Sequence, residues 1–333
     1  MRQWLFQLGA AGLTVWLLGC ASDSAPSRVS GLPVKSAVEA PIQSWSPLDA
    51  WAGQYGVEAT GPRRKGTNQV YSLRSKAGTM EVVIGSRAAR WNGRLLWLGY
   101  APEWTRNRPH VHGIDLSRNL RPLLKPEPWR LSRERSIVID PGHGGGNRGT
   151  RSILSGTKFE KEYSLDWALR LKPLLERKGW TVHLTRDSDV AVSLADRVAL
   201  ADSRKADLFL SLHFNSSFPK LDPSGIETYA LTPRGLPSTT VRAGQDDVNV
   251  EHPGNAHDPF NLRLATSIHR SLIENTGAQD RGVKRARFMT VLRGQTRPAI
   301  LIEAGFLSNP DEARLISSPA YRQRLAEAVA NAL

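Results

Sequence analysis

The apolar residues of this chain fall into two rhythms. Short unbroken runs occur at Ile137-Val138-Ile139, Leu208-Phe209-Leu210-Ser211-Leu212 and Ala299-Ile300-Leu301-Ile302, each closed by polar or turn residues, the pattern of strands buried on both faces. Between the first two, residues 160–178 carry Leu165, Ala168, Leu169, Leu171, Leu174 and Leu175 at helical spacing before Gly179, which predicts an amphipathic helix opening at Glu160. Residues 180–185 read as a further strand, Ser193 as the cap of a helix through Ala201, and Asn309-Pro310 and Ser318-Pro319 as the starts of the last two helices. Strand and helix alternate over residues 135–333. The expected fold class is therefore α/β, a twisted and mostly parallel sheet flanked by helices.

Residues 47–130 have a different texture. A short helix closed by Gly56 precedes alternating stretches at 71–75, 80–84 and 90–98, which are broken by Gly78, Gly85 and the hairpin pair Asn92-Gly93. This predicts a small α+β module ahead of the α/β domain. Six of the ten tryptophans, Trp45, Trp51, Trp91, Trp97, Trp104 and Trp129, lie in or beside it. They suit the core of a short domain, with a glycan-stacking platform as the alternative. Residues 232–259, rich in Pro, Gly, Asp and Asn, make a long connection expected to wall or cover a groove. Its His252 and His257 compete as metal ligands but share no helix face. His110, His112, His183 and His269 read as structural or exposed.

Four residues at the ends of these elements carry the chemistry. His143 sits in the Pro/Gly turn after the first run, His213 directly follows the second, Glu303 directly follows the third, and Glu160 opens the helix. In open α/β sheets the ligand crevice lies outside the carboxyl ends of the strands. A single histidine after a strand is ordinary. Two histidines and two carboxylates at one sheet edge suit a catalytic zinc, for which two His and one Glu are a known ligand set and the remaining carboxylate can take up a proton.

The motifs also recur in a familiar order: Asp140-Pro141-Gly142-His143 with its glycines, Glu160-Lys161, Ser211-Leu212-His213-Phe214-Asn215, Gly225-Ile226-Glu227-Thr228-Tyr229, Asp280-Arg281-Gly282-Val283-Lys284, and Glu303-Ala304-Gly305-Phe306-Leu307-Ser308-Asn309. Over about residues 135–333 the chain resembles the zinc N-acetylmuramoyl-L-alanine amidases of bacterial cell walls, the Amidase_3 family. The resemblance implies one zinc ion held by His143, Glu160 and His213, a catalytic Glu303, and peptidoglycan as substrate, cut between N-acetylmuramic acid and L-alanine. Asn215, Arg281 and Lys284, with Arg285 and Arg287 beside them, are candidates for binding peptide carboxylates. Residues 47–130 resemble, more loosely, the copper amine oxidase N-terminal-like domain, without implying copper. Two alternatives are a zinc hydrolase of another wall amide or peptide bond and a non-catalytic wall-binding protein. The intact set of four stands against the second.

Charge and the N-terminus bear on location. With 45 basic and 31 acidic residues the formal charge is +14, which implies anionic surroundings: nucleic acid, anionic lipid or carboxylate-rich wall polymer. Arg2 precedes the apolar residues 5–18 and then Leu17-Leu18-Gly19-Cys20, a segment that resembles the lipobox of bacterial lipoproteins. Residues 1–20 are thus expected to be a lipoprotein-type signal peptide with lipid attached at Cys20. Cys20 is the sole cysteine, which excludes a disulfide within the monomer. Residues 21–46, rich in Ser, Ala and Pro, read as a flexible linker with a reach of roughly 25–30 Å. The expected location is the cell envelope, lipid-anchored, which in a Gram-negative cell means the outer membrane or periplasm. An export signal without a recognisable nucleic-acid motif excludes nucleic acid as partner; no residue pattern names a protein activator.

Overall fold

A computed structural model describes residues 44–154, 158–242 and 246–333. The expected signal, lipidation and linker segments, Cys20 included, lie outside the described residues. Ala40–Leu333 forms one compact unit.

Its N-terminal part opens with β1 (Trp45–Pro47) and the helix Leu48–Gln54, followed by a meander of β2 (Glu58–Lys65), β3 (Asn68–Ser75), β4 (Gly78–Val83), β5 (Ala88–Trp91) and β6 (Arg94–Trp97). The Asn92-Gly93 pair turns β5 into β6 with both residues at positive φ, 48° and 82°, the twist that a two-residue hairpin requires. β7 (Glu103–Thr105) and β8 (Arg108–His112) join β1 in a separate three-stranded sheet. The tryptophans divide. Trp51 is buried against Tyr55, Trp91 and Trp129 pack on the core, and Trp104 stays exposed over the Tyr71 ring.

The later strands are β9 (Ser136–Pro141), β10 (Thr181–Leu184), β11 (Leu208–Asn215), β12 (Ile226–Leu231), β13 (Asp280–Ala286) and β14 (Ala299–Phe306). The order in the large sheet is β10-β9-β11-β14-β12-β13-β6-β5-β4-β3-β2. β10, β9, β11 and β14 run parallel, as the uninterrupted apolar runs require, while β12 is antiparallel to β14 and parallel to β13. Alternate residues of each run serve different faces. Ile137, Ile139, Leu210, Ile300 and Ile302 join the larger core, which the helices Glu160–Arg177, Asp258–Thr276 and Pro319–Ala332 cover. Val138, Phe209, Tyr229 and Leu301 join a smaller core on the other face. His213, Glu303 and Glu227 share the parity of that second face and are register partners across β11, β14 and β12.

The small module at 47–130 is joined to the α/β domain edge to edge. Its strands continue the α/β sheet, because β6 pairs parallel with β13 through Leu96 and Val283. The Leu95 N–H donates to Asp280 Oδ2 at 2.9 Å and the Trp97 Nε1–H to the Arg281 carbonyl at 3.0 Å. An uncovered β13 would leave unpaired backbone groups at a sheet edge, and β6 covers part of that edge. A buried arginine locks the same seam. Arg285 pairs with Asp258 at 2.5 Å and donates to the carbonyls of Leu231 and Arg118 and to Asn119 Oδ1. Arg285→Ala is expected to lower the urea unfolding free energy by about 3–5 kcal/mol, since it leaves Asp258 buried and unpaired. A loss under about 1 kcal/mol would show that the seam does not depend on this pair.

Candidate metal centre and its cleft

The turn after β9 is built from the arginines around it. Arg197 bonds Asp140 at 2.5 Å and donates to the carbonyls of Pro141 and His143, while Arg186 donates to those of Pro141, Gly142 and Lys161. Both arginines are buried. A guanidinium offers several donors in a rigid fork, so two of them can satisfy the carbonyls of a loop that no ladder pairs. Held in this way, His143 takes a positive φ of 63°, uncommon for a non-glycine residue. Its Nδ1–H donates to Asn147 Oδ1 at 2.9 Å, which fixes the ring orientation and turns Nε2 inward. Lys161, the neighbour of Glu160, anchors the loop's far side through the Gly145 carbonyl and Asp189.

Glu160 opens its helix beneath this turn and is buried. Its carboxylate meets His143 Nε2 at 2.9 Å and His213 Nδ1 at 2.8 Å, and it accepts the backbone N–H of Thr150 and of Phe214, each at 3.1 Å. Burial alone would raise its pKa; the two imidazoles outweigh that and hold it well below the usual carboxylate range. Ligand atoms of His143, Glu160 and His213 all lie within 4.8 Å of one another, and among the described residues no other group of three His, Cys, Asp or Glu side chains could hold a metal ion. Two glycines make room for them. A Cβ on Gly142 would stand 2.3 Å from the His213 ring, and one on Gly149 2.6 Å from Glu160 Oε2. Two imidazole nitrogens and one carboxylate oxygen, converging at a cleft floor, fit a divalent cation of the kind that keeps one position open.

Glu303 lies beside His213 in register. Its Oε2 is shut away from solvent without a hydrogen-bond partner among the described residues, although the residue keeps part of its surface open. Burial, and then the charges of Glu160 and Glu227, push its pKa well above the carboxylate norm, against the pull of Arg242. A cleft of about 580 Å³ runs over all four residues, with Asn147 and Asn215 among its polar lining and Val192, Phe288 and Val291 along its apolar side.

The structure therefore brings together His143, Glu160, His213, Glu303 and Asn215. It does not bring Arg281 and Lys284 to the cleft. Both are turned to Glu227, at 2.6 and 2.7 Å, and that carboxylate also accepts from Tyr229 Oη at 2.6 Å and Asn215 Nδ2 at 3.3 Å. Burial opposes ionisation of Glu227, but Lys284, Tyr229 and Arg281 together hold its pKa below the usual value. Arg281 and Lys284 thus neutralise a buried charge rather than present their own. Arg285 is spent on Asp258, and Arg287 on Asp246 and the carbonyls of Pro233 and Leu236, which ties down the start of the 232–259 connection. His252 and His257 join no metal-ligand group among the described residues. His269 is locked in the core between Thr228 Oγ1 and Asp280. Sequence reasoning assigned no role to Asn147, Arg186, Arg197, Glu227 or Arg242. Only Glu227 carried a signal, as a lone acid inside an apolar strand.

Gly142→Ala is expected to weaken divalent-metal affinity about 10- to 100-fold by displacing the His213 ring, on the scale of lost ligand orientation. Competition against a chromophoric chelator measures this, and unchanged affinity would mean that the ring has room to shift.

Residues 137–333 match the model of the family Amidase_3, N-acetylmuramoyl-L-alanine amidase. The N-acetylmuramoyl-L-alanine amidase AmiC of Escherichia coli O6:H1 is 32% identical over 239 residues, covering 65% of this chain and 56% of its own. AmiA of Escherichia coli K12 is 30% identical over 227 residues, covering 62% and 77%. The chain spans about half the length of the AmiC relatives that it matches. Among solved structures, the N-acetylmuramoyl-L-alanine amidase from Clostridium difficile 630 superposes with a TM-score of 0.50 at 31% identity, over 60% of this chain and 95% of its own. AmiC2 of Nostoc punctiforme gives 0.50 at 30% identity, over 61% and 96%. With more than half of its length matched and the ligand cluster inside the matched region, the chain belongs to the N-acetylmuramoyl-L-alanine amidase family Amidase_3.

Proposed function

We propose that the protein is a zinc-dependent peptidoglycan hydrolase that cleaves the amide between the lactyl group of N-acetylmuramic acid and the L-alanine of the stem peptide. The observation that carries this reading is the convergence of His143, Glu160 and His213 beside a half-buried Glu303 in one cleft. The names of the family and of the relatives support the choice of bond. Zinc, when bound by His143, Glu160 and His213, supplies a Lewis acid that polarises the scissile carbonyl.

The remaining work falls to the chain's own side chains. Asn147 holds His143 in the tautomer that frees Nε2. Glu303, made more basic than an ordinary carboxylate by its burial and by the charges of Glu160 and Glu227, takes the proton of the water that attacks the carbonyl carbon. As the carbon–nitrogen bond breaks, Glu303 gives that proton to the departing alanine nitrogen, so that it ends ionised as it began. The apolar side of the cleft lowers the local dielectric, which strengthens these charge interactions.

Glu303→Gln is expected to lower hydrolysis by about 100-fold or more while zinc stays near stoichiometric by elemental analysis. Loss of metal in that variant would exchange the roles of Glu303 and Glu160. Mass spectrometry of digested peptidoglycan tests the bond. Stem peptides with a free L-alanine amine are expected, and cleaved crosslinks with intact muramyl amides would assign the site to a different wall amide.

We also propose that the protein is exported and lipid-anchored at Cys20, on the strength of the Leu17-Leu18-Gly19-Cys20 motif. Cys20→Ala is expected to release the protein from membranes in high salt, which screens any residual charge attraction. Persistent membrane association would mean that residues 5–18 remain as an uncleaved anchor.

A further inference from the structure

A substrate made of sugar and carboxylate-bearing peptide must be held against a cleft floor that already carries the carboxylates of Glu160 and Glu303. A carboxylate of that substrate is best recognised there by a cation whose hydrogen-bond donors are not already taken. Among the described residues, two arginines line this cleft, Arg197 and Arg242. Arg197 is committed, buried in its pair with Asp140 and its bonds to the turn. Arg281, Lys284, Arg285 and Arg287, the basic residues of the nearby strand and its exit, are each paired with an internal acid.

Arg242 is different. It is exposed and makes no salt bridge or hydrogen bond with a described residue; its guanidinium lies over the Phe288 ring at 4.6 Å, on the cleft wall and close enough for its charge to act at Glu303. An aromatic plate beneath a guanidinium holds the plane of the fork while leaving its N–H edge free. That edge matches a planar carboxylate in two parallel hydrogen bonds, and a sugar hydroxyl offers no such pair of acceptors.

Resting on the amidase reading above, we propose that Arg242, oriented by Phe288, is the specificity residue that receives a carboxylate of the stem peptide on the departing side of the scissile amide. Arg281 and Lys284 have no part in this, because Glu227 occupies them. Arg242 belongs to the 232–259 connection and Phe288 to the segment after β13. The clamp therefore assembles only when that connection is seated, and the Arg287 bonds to Pro233, Leu236 and Asp246 seat it.

The test uses the full zinc-loaded chain and two soluble muramyl peptides that differ only in whether the α-carboxylate of the second residue is free or amidated. Wild type is expected to prefer the acid in kcat/KM, and Arg242→Ala to reduce that preference by about 10-fold or more, the scale of a charge-assisted bidentate contact. Arg242→Lys, which keeps the charge and loses the fork, should fall between them. Equilibrium binding of the two corresponding free stem peptides, measured by calorimetry, gives a readout independent of turnover. A preference that survives in Arg242→Ala overturns the clamp while leaving the amidase reading intact. Failure of wild type to cleave either substrate, combined with acid-selective peptide binding that Arg242→Ala abolishes, overturns the amidase reading and leaves the clamp standing. Equal losses on acid and amide substrates also overturn the clamp, since they mean that Arg242 acts on the reacting groups and not on the substrate's charge.

Discussion

One buried carboxylate organises the functional half of this molecule. Glu160 is ionised in a place where an unpaired charge would be very costly, and it is tolerable there because two imidazoles and two backbone N–H groups surround it. Those donors come from separate stretches of chain: the turn after β9, the loop before the Glu160 helix and the end of β11. Each must be delivered within hydrogen-bonding reach, and glycine at 142 and 149 is needed so that the rings and the carboxylate can close on the backbone. The arginines 186 and 197 answer the same demand from outside, since the turn that carries His143 has carbonyls which no neighbouring strand can pair.

The features legible from the one-letter string were those that repeat or that sit at an element's end. Uninterrupted apolar runs declared the parallel strands and placed His213 and Glu303 just after those runs, although β11 and β14 continue past them to Asn215 and Phe306, and the spacing of leucines after Glu160 declared its helix. What escaped depends on pairing across long sequence separations. Arg281 and Lys284 looked like free cations because their neutraliser, Glu227, lies more than fifty positions away along the chain. In the same way nothing local to residues 94–97 says that they will pair with β13, because edge-to-edge pairing depends on which strand the rest of the fold leaves open.

The charge excess has to be reread in this light. From composition alone, +14 describes a polyelectrolyte surface. In the folded chain, Arg186, Arg197, Arg285, Arg287 and Arg322 are buried, where each serves as a multi-pronged donor to carbonyls or acids. Arginine is favoured over lysine for this task because it stays charged when buried and presents its donors in a fixed plane. Part of the basic content is therefore structural, and the field that reaches the surroundings comes from what remains outside.

The pairing of β6 with β13 has a consequence for how the chain comes apart. The large sheet runs from β10 to β2; at its β6–β13 join one register pair is reinforced by the bonds of Leu95 to Asp280 and of Trp97 to Arg281 and by a core that takes side chains from both Leu73 and Ile302, which ties the N-terminal meander to the strands that carry the candidate metal ligands. Opening the meander would expose the β13 edge and the leucines behind it, so the two regions protect one another's amides and open as one cooperative block. A protease that meets the folded chain would find its easiest cuts in loop tips and not at the boundary that composition suggests near residue 130.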